Sequence, residues 1–120
     1  MSAFEQKIPI YTTTIRDWFE SEKPYLYSEF KLLDVMRIVP LNRSYLSRVF
    51  NDGFGRNFSE VVGSYRVEYA RKLILKCPAM PLQRVWELSG FKTDSTFTRL
   101  FKQEIGCTPA QFKKQQKPNV

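Results

Sequence analysis

Two short stretches of this 120-residue chain carry the same hydrogen-bonding side chains at the same spacing. Residues 42–50 read NRSYLSRVF and residues 93–101 read TDSTFTRLF, an offset of 51. Ser44/Ser95, Arg48/Arg99 and Phe50/Phe101 are identical, and Gly55/Gly106 follow at the same offset. Leu46/Phe97 and Val49/Leu100 match in type, and Ser47/Thr98 match as hydroxyls. On a helix, burial of Leu46, Val49 and Phe50 leaves Ser44, Ser47, Arg48 and Asn51 on the opposite face. Burial of Phe97, Leu100 and Phe101 likewise leaves Ser95, Thr98, Arg99 and Lys102 outward. Short hydroxyls around one arginine suit a helix pressed into a DNA major groove. They permit close approach, and the guanidinium can give two hydrogen bonds to O6 and N7 of guanine. A solvated helix face also carries Ser and Arg, but two matching copies argue for the groove.

These faces need helices to present them. Apolar residues recur at three and four along the chain, so the pattern predicts an all-α fold of about seven helices. A first helix is expected from Thr14 as cap, with Asp17 in its first turn and Ile15, Trp18 and Phe19 buried, stopping before Pro24. A second covers roughly Lys31 to Val39, with Leu32, Val35, Met36 and Val39 inward and Pro40 ending it. A third runs from Arg43 to Asn51, capped by Asn42, with Tyr45, Leu46, Val49 and Phe50 as its apolar stripe. Gly53 and Gly55 then break the chain. Asn57 and Glu60 form a capping pair for the longest helix, whose stripe is Phe58, Val61, Val62, Tyr65, Tyr69, Ala70, Leu73 and Ile74. A fifth helix covers Leu82 to Ser89, with Gly90 turning the chain. A sixth runs from Asp94 to Glu104, capped by Thr93. Thr108, Pro109 and Gln111 start a short last helix toward Lys114. The seven prolines are all expected between helices.

The second-copy leading helix aligns with the first at an offset of 50, Val35 with Val85 and Pro40 with Gly90, so the second turn is one residue longer. Each half is short helix, tight turn, helix: a helix-turn-helix, present twice and joined by the long fourth helix. The expected layout is an N-terminal arm or linker over 1–13 and a first subdomain over 14–57. The linking helix over 58–77 and a second subdomain with its tail over 78–120 complete it. Ile8, Ile10 and Tyr11 are expected to pack as an arm on the first helix or to belong to a linker.

Charge supports a polyanionic partner. Lys plus Arg number 19 against 12 acidic residues, a net charge of +7. Residues 1–29 are net −2 and residues 30–120 net +9, the footprint of a nucleic-acid binder behind a mildly acidic lead-in. Catalysis is disfavoured. The chain has no histidine, which removes the usual general base near neutral pH and the commonest zinc ligand. Cys77 and Cys107 stand thirty residues apart, neither metal-finger nor redox spacing, and suggest a reduced cytosolic protein. No metal, cofactor or small-molecule pocket is expected, and no apolar run is long enough to contact a membrane by spanning it.

The sequence resembles the DNA-binding domain of the AraC/XylS family of bacterial transcription regulators over roughly residues 14–114. The matching strings are NRSYLSRVF, RVEYARKLIL in the linking helix, and SGFKTDSTFTRLFKQEIGCTPAQF. The resemblance implies a sequence-specific regulator whose two second helices lie in successive major-groove segments of double-stranded DNA, roughly 34 Å apart. Carried over by position, base reading falls on Arg43, Ser44, Ser47, Arg48, Asp94, Ser95, Thr98 and Arg99. Phosphate contacts fall on Asn42, Lys92, Thr93 and Lys102, helped by backbone amides at the helix starts. Asp94 has a second reading, as a complement to the helix dipole, and Arg43 another, as a phosphate clamp. Lys113, Lys114 and Lys117 read as a solvated tail.

The sequence departs from the family pattern at three places. Met36 and Trp86 stand where alanine is usual in the leading helices, and Pro40 where glycine is usual. Trp86 is expected either along the interhelical seam or, in the other reading, outward as a partner surface. The resemblance also implies RNA polymerase as a partner and the cytoplasm as location. The chain is expected to be the output part of a larger sensor protein, a membrane-anchored one included, with a stand-alone regulator as the other reading. The competing function is a helical protein-interaction module that does not read DNA.

Overall fold

The computed structural model describes residues 1–116, and Lys117 with the rest of the tail lies outside them. Seven α-helices occur among the described residues: α1 (Ala3–Glu22), α2 (Leu32–Met36), α3 (Arg43–Arg48), α4 (Phe58–Lys76), α5 (Leu82–Leu88), α6 (Asp94–Ile105) and α7 (Pro109–Gln115). A 3-10 turn covers Pro24–Leu26, and a π-helical segment, Val49–Phe54, continues α3. The chain divides into two compact units. The first is Met1–Pro24 with Glu29–Val62, and the second is Tyr25–Ser28 with Gly63–Val120. Helix α4 begins in the first and continues into the second.

In the first unit, α1 is longer than its sequence pattern suggests. Its cap is Ser2, whose Oγ accepts from the Glu5 N–H at 3.1 Å. Thr14 is not a cap but lies mid-helix, donating to the Ile10 carbonyl at 3.0 Å. Residues 3–13 are therefore part of α1, and Pro9 sits inside it, against the expectation that every proline falls between helices. An interior proline removes one backbone bond and costs about 3 kcal/mol. The side buried by Ile8, Thr12, Ile15 and Phe19 nevertheless runs straight through it. Thr12 donates its hydroxyl to the Ile8 carbonyl at 2.7 Å. A Cβ on Gly53 would collide with Thr12 Oγ1, so Gly53 serves close packing of α1 on the π segment rather than chain breaking. The break comes only at Gly55, at φ +75°. Lys23, at φ 52°, ends α1 with its N–H on the Phe19 carbonyl, immediately before Pro24.

Aromatic rings fill this unit. Phe19 meets Phe30 at 5.7 Å, Phe30 meets Phe58 at 5.6 Å, and Phe58 meets Phe50 at 5.3 Å between centroids. Trp18 is half-buried at the edge of the cluster, and its indole N–H donates to Glu22 at 2.7 Å. Val35, Val39, Leu46, Val49 and Phe50 are buried. Tyr45 is not: the expected apolar stripe of α3 loses it to the surface, 44% exposed.

The second unit repeats the packing. Val67, Ala70, Ile74, Val85, Phe91, Phe97 and Phe101 form its core. Of the repeat-related pairs, Leu46/Phe97, Phe50/Phe101 and Val35/Val85 are all at 0% exposure, whereas Val49 is buried and its counterpart Leu100, expected to be buried too, is only half-buried against the core. Trp86 is half-buried against this core, and Met36 is half-buried in the first unit. Lys113 belongs to the fold, donating to the Met80 carbonyl at 2.8 Å. Cys77 and Cys107 are free thiols.

The two turns are built differently. After α5, Gly90 takes φ +91°, and Arg66 binds the carbonyls of Tyr25 and Tyr27 at 2.6 and 3.0 Å beside it. Partial burial lowers the Arg66 pKa from its ordinary value, and the two carbonyls supply acceptors for the half-buried cation. Pro40 cannot adopt positive φ. The first turn instead closes with the Leu41 N–H on the Val39 carbonyl at 2.8 Å. A glycine turn and a tighter proline turn account for the one-residue difference between copies.

Candidate nucleic-acid interface

Each second helix is started by a local side-chain cap. Asn42 Oδ1 accepts from the Tyr45 N–H at 2.9 Å and starts α3. Thr93 Oγ1 accepts from the Thr96 N–H at 3.3 Å and starts α6. Both caps satisfy an amide the helix leaves orphaned. The cap uses only the amide oxygen of Asn42, which leaves its NH2 for an outside acceptor. The Thr93 hydroxyl also donates within its turn, to Thr96 Oγ1 at 3.1 Å.

In the first unit Asn42, Arg43, Ser44 and Arg48 are exposed and Ser47 is half-buried. Arg48 is engaged on two sides. Its Nη2 stands 3.7 Å from Asp52 Oδ2, and its guanidinium lies over the Phe4 ring, 5.2 Å from the centroid. Phe4 in turn rests 4.5 Å from the Tyr45 ring. Beside α3 an open hollow of about 410 Å³ is lined by Lys31, Leu32, Arg43, Ser47, Asn51, Asn57, Phe58 and Ser59. Its polar wall adds Lys31, Asn57 and Ser59 to the residues the repeat singles out. Arg43, Ser47 and Asn51 follow the i, i+4 series of the outward face, and of the additions Asn57 is marked in the sequence, as half of a capping pair, while Lys31 and Ser59 are not.

In the second unit Lys92, Thr93, Asp94, Ser95, Arg99 and Lys102 are exposed and Thr98 is half-buried. The Thr98 hydroxyl donates to Asp94 Oδ1 at 3.0 Å, one turn back. Asp94 also sits in the first turn of α6, where a carboxylate is favoured by the helix dipole. Arg99 has no ion pair, hydrogen bond or ring contact among the described residues. All twelve positions named from the sequence are thus solvent-accessible, nine of them on the outer faces or first turns of α3 and α6. Among the described residues no group of three metal-ligating side chains occurs, and no helix is long and apolar enough to cross a membrane.

Comparison with known proteins agrees with this geometry. A family model described as "Helix-turn-helix domain" matches residues 35–115, both copies of the repeat. The chain is 32% identical over 90 residues to the uncharacterized HTH-type transcriptional regulator YtdP of Bacillus subtilis, covering 75% of this chain and 12% of that protein. It is 31% identical over 111 residues to the uncharacterized HTH-type transcriptional regulator YfiF of the same organism, covering 91% of this chain and 35% of that protein. The chain therefore spans well under half the length of either relative. The C-terminal domain of the two-component response regulator yesN from Fusobacterium nucleatum superposes with a TM-score of 0.71 at 27% identity. That match covers 82% of this chain and 97% of the domain.

Proposed function

Because this chain belongs to the AraC/XylS type of helix-turn-helix regulators, we propose that it reads specific duplex DNA sequences with α3 and α6 and thereby regulates transcription. One observation carries the reading. The same hydroxyl-and-arginine face occurs twice, each time outward from a helix whose opposite side is buried by a matching Leu or Phe and a Phe. In this reading Arg48 and Arg99 each give two hydrogen bonds to a guanine edge, and Ser44, Ser47, Ser95 and Thr98 let the helices approach. Arg43 and Asp94 face the bases at the helix starts. Asn42, Lys92, Thr93 and Lys102 contact phosphates and set the register. The two helices occupy successive major-groove segments, the spacing the family's tandem arrangement implies.

The greater length of the relatives supports a role as the output domain of a longer regulator, and action through RNA polymerase in the bacterial cytoplasm is proposed from the family alone. The family is one of transcription regulators, and no enzymatic step is assigned to this chain.

A salt titration on duplex DNA tests the reading. A protein neutralising several phosphates loses affinity steeply, with a log–log slope near −0.9 per phosphate contact. A flat response between low and moderate salt contradicts it and favours a protein-interaction module. Within the same assay, Lys92→Ala is expected to weaken binding to all duplexes and to reduce the slope by about one. An unchanged slope removes Lys92 from the phosphate set.

A further inference from the structure

The two arginines at the centre of the repeat are not held alike. Arg48 is sandwiched between the Phe4 ring face, at 5.2 Å, and the Asp52 carboxylate, at 3.7 Å. The Phe4 ring is itself fixed by Tyr45, one helical turn before Arg48 on the same face of α3, at 4.5 Å. The position that corresponds to Asp52 in the second copy is Gln103, which carries no charge. No ring lies over Arg99 among the described residues. The difference comes from Phe4, in the first turn of α1 and far from α3 in sequence, and from Asp52, where the two copies differ.

We propose that Phe4 and Asp52 are positioning residues that hold the Arg48 guanidinium in the orientation needed to read its base. The proposal rests on the DNA-reading function above. An arginine side chain loses considerable rotamer freedom when it is fixed on a base. A cation over a ring face and one edge drawn toward a carboxylate impose much of that order beforehand. Asp52 Oδ2 stands 3.7 Å from Nη2, beyond hydrogen-bond distance, and the guanidinium has five N–H donors, so the parallel N–H pair of Nη1 and Nη2 stays available for O6 and N7 of guanine. Arg48 keeps 49% of its side-chain surface exposed, as a reader must. Arg99 meets its base unprepared, so the first copy discriminates more sharply at its arginine-read position than the second.

The test compares base preferences of the unaltered chain and of Phe4→Ala, measured separately at the position lost on Arg48→Ala and the position lost on Arg99→Ala. Exposed cation–π contacts have modest strength, so Phe4→Ala is expected to reduce discrimination at the Arg48 position about two- to fivefold. Discrimination at the Arg99 position and the salt slope are expected to stay unchanged. Phe4→Trp is expected to restore the preference, and Asp52→Asn to weaken it in the same direction as Phe4→Ala. Thermal unfolding of each variant separates a loss of folding, which would lower both positions together. Unchanged discrimination at the Arg48 position overturns the proposal, and so does tighter binding by Phe4→Ala, which would mean that the ring obstructs the arginine. If the unaltered chain has no base preference at all, the DNA-reading function itself falls and this inference with it. A preserved preference that ignores Phe4 overturns this inference alone.

Discussion

Arg99→Ala is expected to cost on the order of 1–3 kcal/mol on the preferred duplex, roughly a 5- to 150-fold loss of affinity, and to relax the choice at one base pair. The expectation follows from where the residue stands. Arg99 is exposed and makes no polar or ring contact among the described residues, so its removal takes nothing from the folded chain. Its stability is expected to be unchanged, and the whole loss appears in binding. Lysine is no substitute at such a site, because a point charge cannot reproduce a planar two-donor fork. Arg48→Ala is expected to lose a similar amount at a different base pair. The Arg48–Asp52 contact is half-exposed on both sides, and such pairs contribute little to stability. Titration against the preferred duplex and its single-base variants checks both substitutions. Equal weakening on every duplex would assign the two arginines to phosphates.

The second large effect is on folding. Gly90→Ala is expected to destabilise the second unit by about 2–4 kcal/mol, the sum of a left-handed backbone penalty and a steric displacement. A Cβ on Gly90 would stand 2.5 Å from the Tyr25 carbonyl oxygen and 2.9 Å from Arg66 Nε. The carbonyl is backbone and Arg66 is already committed to it at 2.6 Å, so neither can yield cheaply. Gly55→Ala is the control: φ is +75° there but no atom lies within 4 Å of the added carbon. It is expected to cost only about 1 kcal/mol. Denaturant midpoints for the two variants measure the difference, and equal midpoints would show that the Tyr25–Arg66 contact does not constrain the turn.

These positions differ in how plainly the sequence announces them. Capping pairs are local, three residues apart, so Asn57 with Glu60 and Thr108 with Gln111 were legible and are formed, each with both reciprocal bonds. The buried positions of the repeat were legible because a helix shows one face per 3.6 residues. The start of α1 was not, since Pro9 signals a break locally and the packing that overrides it involves Thr12 and Gly53, far apart in the chain. The same holds for Gly53, which reads as a breaker and acts as a contact. The widening of α3 into a π segment after Arg48 has no local signal in its residues. Tyr45 looked like part of the apolar stripe because aromatic type alone does not tell a core ring from one half in solvent beside Phe4. The outward faces of α3 and α6 could be read from the sequence, whereas the hold on Arg48 could not, because Phe4 belongs to another element.

In the proposed mode of reading, two copies of one base-reading face act on one duplex. Selection of bound sequences from random double-stranded DNA tests it most directly. Two enriched clusters of base pairs are expected, with centres about one helical turn, roughly 10 base pairs, apart, the guanine in one lost with Arg48→Ala and that in the other with Arg99→Ala. Recovery of sequences with no common element, or of a single cluster indifferent to both arginines, would contradict it.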